Sequence, residues 1–461
     1  MKLKIKLLVL ASVLNYCANA QKLSSPVFND GDKICFVGNS ITSNGEFFNN
    51  IFLYYATRFP QKNVWFYNCG ISGDVTKSVL NRLNDDVFVH RPTWCVVMLG
   101  MNDVTRDLYK STRTSESNII QQRQAAIDVY KKNLETIVEK LLQSNSKVIL
   151  EKPTIYDQTA KTNVENYYGV NDALKICADY IQKLADKYQL LTIDYYSLMN
   201  EINTQVQLKD SSATITGHDR VHPGPVGHFI MTYEFLKSTG APQNVSTIAV
   251  NNKTRSSNDS RNCIVSDVKY NKNGVTFSCI ENSLPFPAIK DASPALALVP
   301  FTKNFNQEIL KVTKLEKGDY DLIIDTSHVA SFNDAELKRG VNLATNVQTP
   351  QYSQSLTLLN LCRKYRDVEA TLTSLKFLEH YVLADLSVAD LKDMNKVTAA
   401  LDAKRERFKN SSYFMAQFKD YLTNKPQQSN FEMQLADIHQ KIYLSNKPVQ
   451  HTYTLIKKTN L

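Results

Sequence analysis

The stretch KICFVGNS, residues 33–40, decides the fold that the rest of the sequence predicts. Ile34 to Val37 form a short apolar run, which ends in a glycine and two polar residues. Such a run, bounded by turn residues, is typical of a strand buried on both faces of a parallel sheet. The turn that follows it, with Asn39 and Ser40, then lies at the carboxyl edge of that sheet.

Residues 31–240 continue this pattern by alternating strand and helix signals. Strands are predicted at 34–37, 64–68, 94–99, 147–151 and 190–194, and helices at 46–58, 75–88, 119–143, 171–188 and 225–237. Strands that alternate with helices predict an α/β fold, here a three-layer α/β/α arrangement around a parallel five-stranded sheet. Sheets of this kind bind ligands beyond the carboxyl ends of their strands.

The two ends of the chain differ from this unit. Residues 1–20 have three early lysines, an apolar run and the small-residue sequence Ala18-Asn19-Ala20. This order is typical of a secretory signal peptide and predicts a periplasmic or extracellular protein. Beyond the unit, we expect a linker at 241–262, a small β region at 263–330 and a charged helical region at 331–461. The sequence leaves open whether the helical region reaches the active edge.

Composition excludes several classes of protein. The formal net charge is +9, but no dense basic run with interleaved aromatic residues occurs, so nucleic-acid binding is not expected. No apolar stretch after the N-terminus is long enough to span a membrane. The sequence has no CxxC or HExxH pattern, and we expect no metal or other cofactor. Whether Cys263 and Cys279 pair in an oxidising compartment stays open, as does the oligomeric state.

Four short motifs stand at predicted strand ends and helix starts. They are Gly38-Asn39-Ser40-Ile41-Thr42, Asn68-x-Gly70-x-x-Gly73-Asp74, Gly100-Met101-Asn102-Asp103 and Asp219-Arg220-Val221-His222-Pro223. Any one of them is an ordinary turn, but their joint order along one sheet edge favours a catalytic site.

Ester hydrolysis explains these residue types. A serine hydroxyl is a weak nucleophile until an imidazole takes its proton, and that imidazole needs a carboxylate to orient it. Asp219 and His222 are three residues apart and can make this contact within one loop. The oxyanion of the tetrahedral intermediate needs hydrogen-bond donors, which Ser40, Gly73 and Asn102 can supply. We expect the aspartates that follow Gly73 and Asn102 to hold their loops.

Together, the four motifs resemble those of the SGNH (GDSL-like) hydrolase superfamily, which is named after a serine, a glycine, an asparagine and a histidine. The resemblance covers about residues 31–240 and implies a flavodoxin-like sheet and a serine esterase. It implies that Ser40 is the nucleophile and that its N–H serves the oxyanion hole with Gly73 and Asn102. His222 matches the general base, and Asp219 matches its orienting acid.

One position departs from the family pattern. The first block usually reads Gly-Asp-Ser, whereas here Asn39 keeps the shape and an acceptor oxygen but loses the charge. We expect a modest effect on the activation of Ser40. Export and the accessory regions favour a carbohydrate O-acetylesterase that acts on an acylated extracellular carbohydrate. A lipase or phospholipase and a non-catalytic glycan-binding protein are the alternatives.

Overall fold

The computed structural model describes residues 27–254, 256–271 and 273–459. The predicted signal peptide, residues 1–20, lies outside the described residues. Five parallel strands form the central sheet in the order β2-β1-β3-β4-β5. They are β1 (Lys33–Gly38), β2 (Trp65–Gly70), β3 (Trp94–Met98), β4 (Lys147–Lys152) and β5 (Leu191–Asp194). The predicted α/β fold with a parallel five-stranded sheet is confirmed.

Helices cover both faces of this sheet. They are α1 (Ser40–Asn44), α2 (Glu46–Arg58), α3 (Thr76–Arg82), α4 (Ile119–Gln143), α5 (Val170–Tyr188), α6 (Tyr195–Gln207) and α7 (Pro225–Ser238). The sequence pattern did not predict α1 or α6. The five residues of α1 are too few to show a helical period. Helix α6 starts directly after β5, where the Asp194 carboxylate caps it by accepting the Ser197 N–H.

Alternation along β1 explains the layers. Ile34 and Phe36 point into one core, with α2 and α7, whereas Cys35 and Val37 point into the other, with α3, α4 and α5. Successive side chains of a strand face opposite sides of the sheet, so an uninterrupted apolar run fills two cores at once. Both helical layers are thereby fixed against the strand that delivers Ser40.

The β region starts earlier in the chain than predicted. Within the expected linker, Asn244–Asn251 form strand β6, because Val245, Ile248 and Val250 of this polar stretch are buried. The strands that follow are β7 (Cys263–Asn271), β8 (Gly274–Glu281), β9 (Gln307–Thr313), β10 (Asp319–Ile324), β11 (Ser327–Asn333), β12 (Val341–Asn342) and β13 (Gln450–Lys457). Their two sheets have the orders β11-β10-β13-β8-β7 and β12-β9-β6.

The helical C-terminal region is present, and strand β13 is an addition to it that the sequence did not predict. It pairs with β8 and β10, so the end of the chain returns to the β region. The remaining helices are α8 (Phe301–Phe305), α9 (Asp334–Arg339), α10 (Pro350–Tyr381), α11 (Met394–Phe408), α12 (Ser412–Asn424) and α13 (Gln428–Ser445). Among the described residues, no helix is both long and apolar enough to cross a membrane.

Helices α10 and α13 pack on the α/β unit. Leu358, Tyr365 and Ile442 are buried in the same core as α2 and α7. The Tyr365 hydroxyl donates to the carbonyl of Phe66 on β2, and the Glu369 carboxylate accepts the N–H of Asn68 at 2.8 Å. Strand β2 is the edge of the sheet, so α10 covers an edge that would otherwise expose unpaired backbone groups.

Candidate active site

The four sequence motifs meet at one edge of the sheet. Ser40, Gly73 and Asn102 follow β1, β2 and β3, which are neighbours in the sheet. The Asp219–His222 loop precedes α7 and brings its histidine to the same edge, where it contacts Ser40. Parallel strands present their carboxyl ends together, so three turns that are far apart in sequence form one site.

Ser40, His222 and Asp219 form a continuous hydrogen-bonded chain. The Ser40 Oγ lies 2.6 Å from His222 Nε2, and His222 Nδ1 bonds to Asp219 Oδ2. An imidazole held in this way can accept the serine proton on one nitrogen while the carboxylate fixes the other. The side chains of His222 and Asp219 are about half exposed, so a substrate can reach them from solvent.

The loop that carries the histidine is stabilised within itself. The second oxygen of Asp219, Oδ1, accepts the N–H groups of Val221 at 3.1 Å and His222 at 3.0 Å. Partial burial raises the pKa of Asp219, but the hydrogen bonds from the His222 ring and from the backbone outweigh it and leave the pKa below its usual value. Arg220 is buried and donates to the carbonyl of Asp157 at 2.9 Å, which anchors the loop from below.

Ser40 stands on a tight strand-to-helix turn. Asn39, at the N-cap of α1, accepts the Ile41 N–H with its side-chain oxygen at 3.2 Å. An asparagine caps a helix as well as an aspartate does, so the departure from the family pattern keeps this contact. Helix α1 also packs close to β2: a Cβ on Gly70 would lie 2.4 Å from the backbone nitrogen of Ser43, so only glycine fits there.

Two loops at the same edge of the sheet as Ser40 offer hydrogen-bond donors. Gly73 has a φ of +86°, which favours glycine, and it is exposed. The side-chain amide of Asn102 donates to the carbonyl of Asp74 at 3.0 Å, which fixes its orientation. Asp103 accepts the N–H groups of Thr76 at 2.7 Å and Gly100 at 3.1 Å. Burial raises the pKa of Asp103 to about 6. Asp74, through its carbonyl, and Asp103, through its carboxylate, hold the loops that follow β2 and β3, as expected.

Sequence reasoning missed Arg82. Its buried guanidinium donates from Nε to Asp74 Oδ2 at 2.7 Å and from Nη2 to the Cys69 carbonyl at 2.8 Å, and it pairs with Asp86. Asp86 in turn pairs with Lys376 of α10. No local signal marks this network, because an arginine on a predicted helix is ordinarily a surface residue.

Three further polar or aromatic residues of this part of the chain have their contacts elsewhere. His228 is buried and stacks on Phe47, and burial lowers its pKa to about 3. Glu151 accepts a hydrogen bond from Tyr195 at 2.7 Å, and burial raises its pKa to about 8. Tyr167 stacks parallel to Tyr156.

The described residues contain no cluster of histidine, cysteine and acidic side chains that could hold a metal ion. Cys263 and Cys279 lie on neighbouring strands, and both are free thiols in this structure.

Comparison with known proteins places this geometry in a family. Residues 36–230 match the family of GDSL-like Lipase/Acylhydrolase proteins. This stretch of the chain is a GDSL-like lipase/acylhydrolase domain. It contains the second half of β1, all of β2 to β5 and all four motifs. Lipases and acylhydrolases cleave ester bonds, and the chain is an ester-bond hydrolase.

Two known proteins are similar to this chain, one over about half of its length and the other over nearly all of it. An acetylxylan esterase from Geobacillus stearothermophilus is 24% identical over 228 residues, which are 46% of this chain and 94% of that protein. The structure of a gut microbial diltiazem-metabolizing enzyme is 28% identical and covers 95% of this chain and 100% of its own, with a TM-score of 0.87. The second similarity extends beyond the GDSL-like domain and includes the β and helical regions.

Proposed function

We propose that this protein is a secreted carbohydrate O-acetylesterase that works through an acyl-enzyme on Ser40. The observation that carries the proposal is the hydrogen-bonded chain of Ser40, His222 and Asp219 in the GDSL-like domain. A serine 2.6 Å from an imidazole that a carboxylate orients is equipped for nucleophilic attack on an ester carbonyl.

The reaction proceeds in two halves. The Ser40 Oγ attacks the ester carbonyl while His222 Nε2 takes its proton. The backbone N–H groups of Ser40 and Gly73 and the amide of Asn102 stabilise the oxyanion. His222 then gives the proton to the departing alcohol, and the acetyl group stays on Ser40. In the second half, His222 removes a proton from water, which attacks the acyl-enzyme, and His222 then returns a proton to Ser40 Oγ as acetate leaves.

Two observations support an acetylated carbohydrate as the substrate. The relative that matches the GDSL-like domain over 94% of its own length is an acetylxylan esterase. The signal-peptide pattern at residues 1–20 predicts export to the compartment where such polymers occur. The proposed substrate class is therefore an O-acetylated extracellular polysaccharide or oligosaccharide, and no cofactor is needed for the steps above.

Hydrolysis of p-nitrophenyl acetate by the mature protein and by Ser40→Ala tests the proposal. The parent is expected to turn over, and the variant is expected to lose roughly six orders of magnitude in kcat, as triad serines do. Ser43→Ala, in the same short helix, is the matched control and should keep the activity of the parent. Release of acetate from acetylated xylan then tests the natural substrate.

Chain-length preference separates the alternatives. A faster reaction with palmitoyl than with acetyl esters would contradict the carbohydrate proposal and favour a lipase or phospholipase. A parent protein that turns over no ester, but binds a glycan equally well with and without Ser40, would favour a non-catalytic binding protein.

A further inference from the structure

The C-terminal helical region reaches the loop of Gly73 and Asp74 through Tyr381. Tyr381 is the last residue of α10, and its ring lies against Gly73: its hydroxyl is 3.2 Å from the position that a glycine Cβ would take. The same hydroxyl donates to Asp74 Oδ1 at 3.0 Å. Tyr381 is 40% exposed, so part of its ring faces solvent beside a proposed oxyanion donor.

The contact with Asp74 couples Tyr381 to both oxyanion donors that lie outside the nucleophile turn. Asp74 follows Gly73 directly, and its carbonyl orients the amide of Asn102. Its carboxylate is fully buried and receives hydrogen bonds from Arg82 and Tyr381. Removing the tyrosine hydroxyl therefore withdraws one of the bonds that fix this loop, without touching the catalytic chain of Ser40.

A large cavity of about 1080 Å³ opens on the other side of Tyr381. It lies between α3 of the GDSL-like domain and the helical region, and Ile71 and Tyr381 line it on the side of the oxyanion loop. Its volume is slightly above the usual range for small-molecule sites, which is about 300–1,000 Å³. A cavity of this volume has room for several sugar units.

The lining of the cavity favours a neutral polar ligand. Four cationic and four anionic side chains line it, so neither charge dominates. Arg82 and Lys376 are balanced by the carboxylates of Asp74 and Asp86, and Lys425 is paired with Glu379. Apolar side chains alternate with these pairs, for example at Leu386 and Val388. Carbohydrates combine hydroxyl groups for the polar lining with apolar ring faces for the aromatic and aliphatic side chains.

We propose that Tyr381 is a substrate-positioning residue supplied by the helical region, and that the cavity behind it binds the carbohydrate portion of the ester. The proposal rests on the proposed function and names the part of the chain that recognises the alcohol component. The hydroxyl of Tyr381 holds the oxyanion loop. Its ring forms the wall between the acetyl group at Ser40 and the sugar chain in the cavity.

Two substitutions at Tyr381 separate these roles. Tyr381→Phe keeps the ring and is expected to lower kcat about tenfold on p-nitrophenyl acetate and on acetylated xylo-oligosaccharide alike, with an unchanged KM. Tyr381→Leu removes the ring as well, and kcat/KM for the oligosaccharide is expected to fall about tenfold further than that for p-nitrophenyl acetate. Tyr413→Phe, an exposed tyrosine of α12, is the control and should match the parent on both substrates.

The cavity is tested by filling it. Val388 is 65% exposed at the cavity and Val347 is 61% exposed elsewhere, so tryptophan at each gives a matched pair. Val388→Trp is expected to lower kcat/KM for the oligosaccharide about tenfold and to leave p-nitrophenyl acetate within about twofold, whereas Val347→Trp changes neither. Calorimetry with unacetylated xylotetraose on the full Ser40→Ala chain should show binding that Val388→Trp weakens.

The outcomes distinguish the two proposals. A parent protein inactive on every ester contradicts the proposed function, and the xylotetraose titration then still decides whether the cavity binds carbohydrate. An active parent whose Tyr381 variants equal it on both substrates, with no xylotetraose binding, overturns this inference alone. Far-UV circular dichroism of each variant shows that it is folded.

Discussion

The two sides of the candidate site are stabilised in different ways. On one side, Asp219 and His222 lie three residues apart in a half-exposed loop and bond directly to each other. On the other side, the loop of Gly73 and Asp74 is held by buried Arg82 and by Tyr381, which lies 307 residues further along the chain than Asp74. We call these the local side and the long-range side.

The difference matches the different tasks that the proposed mechanism gives to the two sides. In the proposed mechanism the local side moves protons and exchanges with solvent, which fits groups that are exposed and depend on few partners. In the same mechanism the long-range side presents fixed donors to an oxyanion, and preorganised donors are those that cost no rearrangement during the reaction. Buried ion pairs with Asp74 at their centre supply that rigidity, and they extend into the helical region through Lys376 and Tyr381.

The largest expected effect comes from the local side. Asp219→Asn keeps the size of the side chain but removes the charge that orients the imidazole, and kcat on p-nitrophenyl acetate is expected to fall about 10⁴-fold. The thermal midpoint should change little, because the side chain is half exposed.

Asp210→Asn, an exposed aspartate of the preceding turn, is the control for Asp219→Asn and should keep full activity. A loss of stability as large as the loss of activity would show that the Asp219–His222 loop also holds the fold, and the contrast between the two sides would fail.

Local sequence patterns predicted most of the α/β unit. Helices α2 and α4 have the predicted bounds, and the strands differ by one to a few residues, because each apolar run or helical period is complete within its own segment. Strand β6 was mistaken for a linker because its buried Val245, Ile248 and Val250 stand in a stretch rich in asparagine, serine and threonine. Strand β13 was missed because its partners, β8 and β10, are far away in sequence.

The same distinction applies to the candidate site. The sequence singled out Ser40, Gly73, Asn102, Asp219 and His222 as candidates because each stands in a short motif at the end of an element. Arg82 and Tyr381 stand in no motif. Their importance depends on which buried carboxylate they meet, and that depends on how α3 and α10 pack together. A single sequence contains no local signal for such a tertiary contact.

A smaller effect is expected on the long-range side, and it concerns stability. Arg82→Met retains the aliphatic volume but leaves Asp74 and Asp86 buried without their shared partner. Breaking a buried ion pair in this way typically costs about 3–5 kcal/mol, and urea unfolding is expected to show a decrease of that size in the free energy of unfolding.

Lys77→Met removes an exposed cation from the same helix and is the control for Arg82→Met. If Arg82→Met unfolds at the same urea concentration as the parent, the buried network does not stabilise the Gly73–Asp74 loop in the way proposed here.

The smallest effect is a pH dependence that also comes from the long-range side. Glu369 of α10 accepts the Asn68 N–H, and burial raises the pKa of its carboxyl to about 8. The folded protein therefore keeps this proton at pH values where the unfolded chain has lost it. The contribution of Glu369 to the free energy of unfolding is fully present below the ordinary glutamate pKa, near 4.5. It declines as the pH rises towards 8.

Glu369→Gln keeps an acceptor for Asn68 but cannot ionise, so it tests this dependence directly. Its free energy of unfolding should equal that of the parent near pH 4 and exceed it by roughly 1–3 kcal/mol at pH 8. Exposed Glu406→Gln is the control and should follow the parent at both pH values. Asp219, whose pKa lies below its usual value, has the opposite sign and loses its contribution only in acid. If Glu369→Gln differs from the parent by the same free energy of unfolding at pH 4 and at pH 8, Glu369 ionises in place, and the edge of β2 is wetter and less firmly held by α10 than the packing indicates.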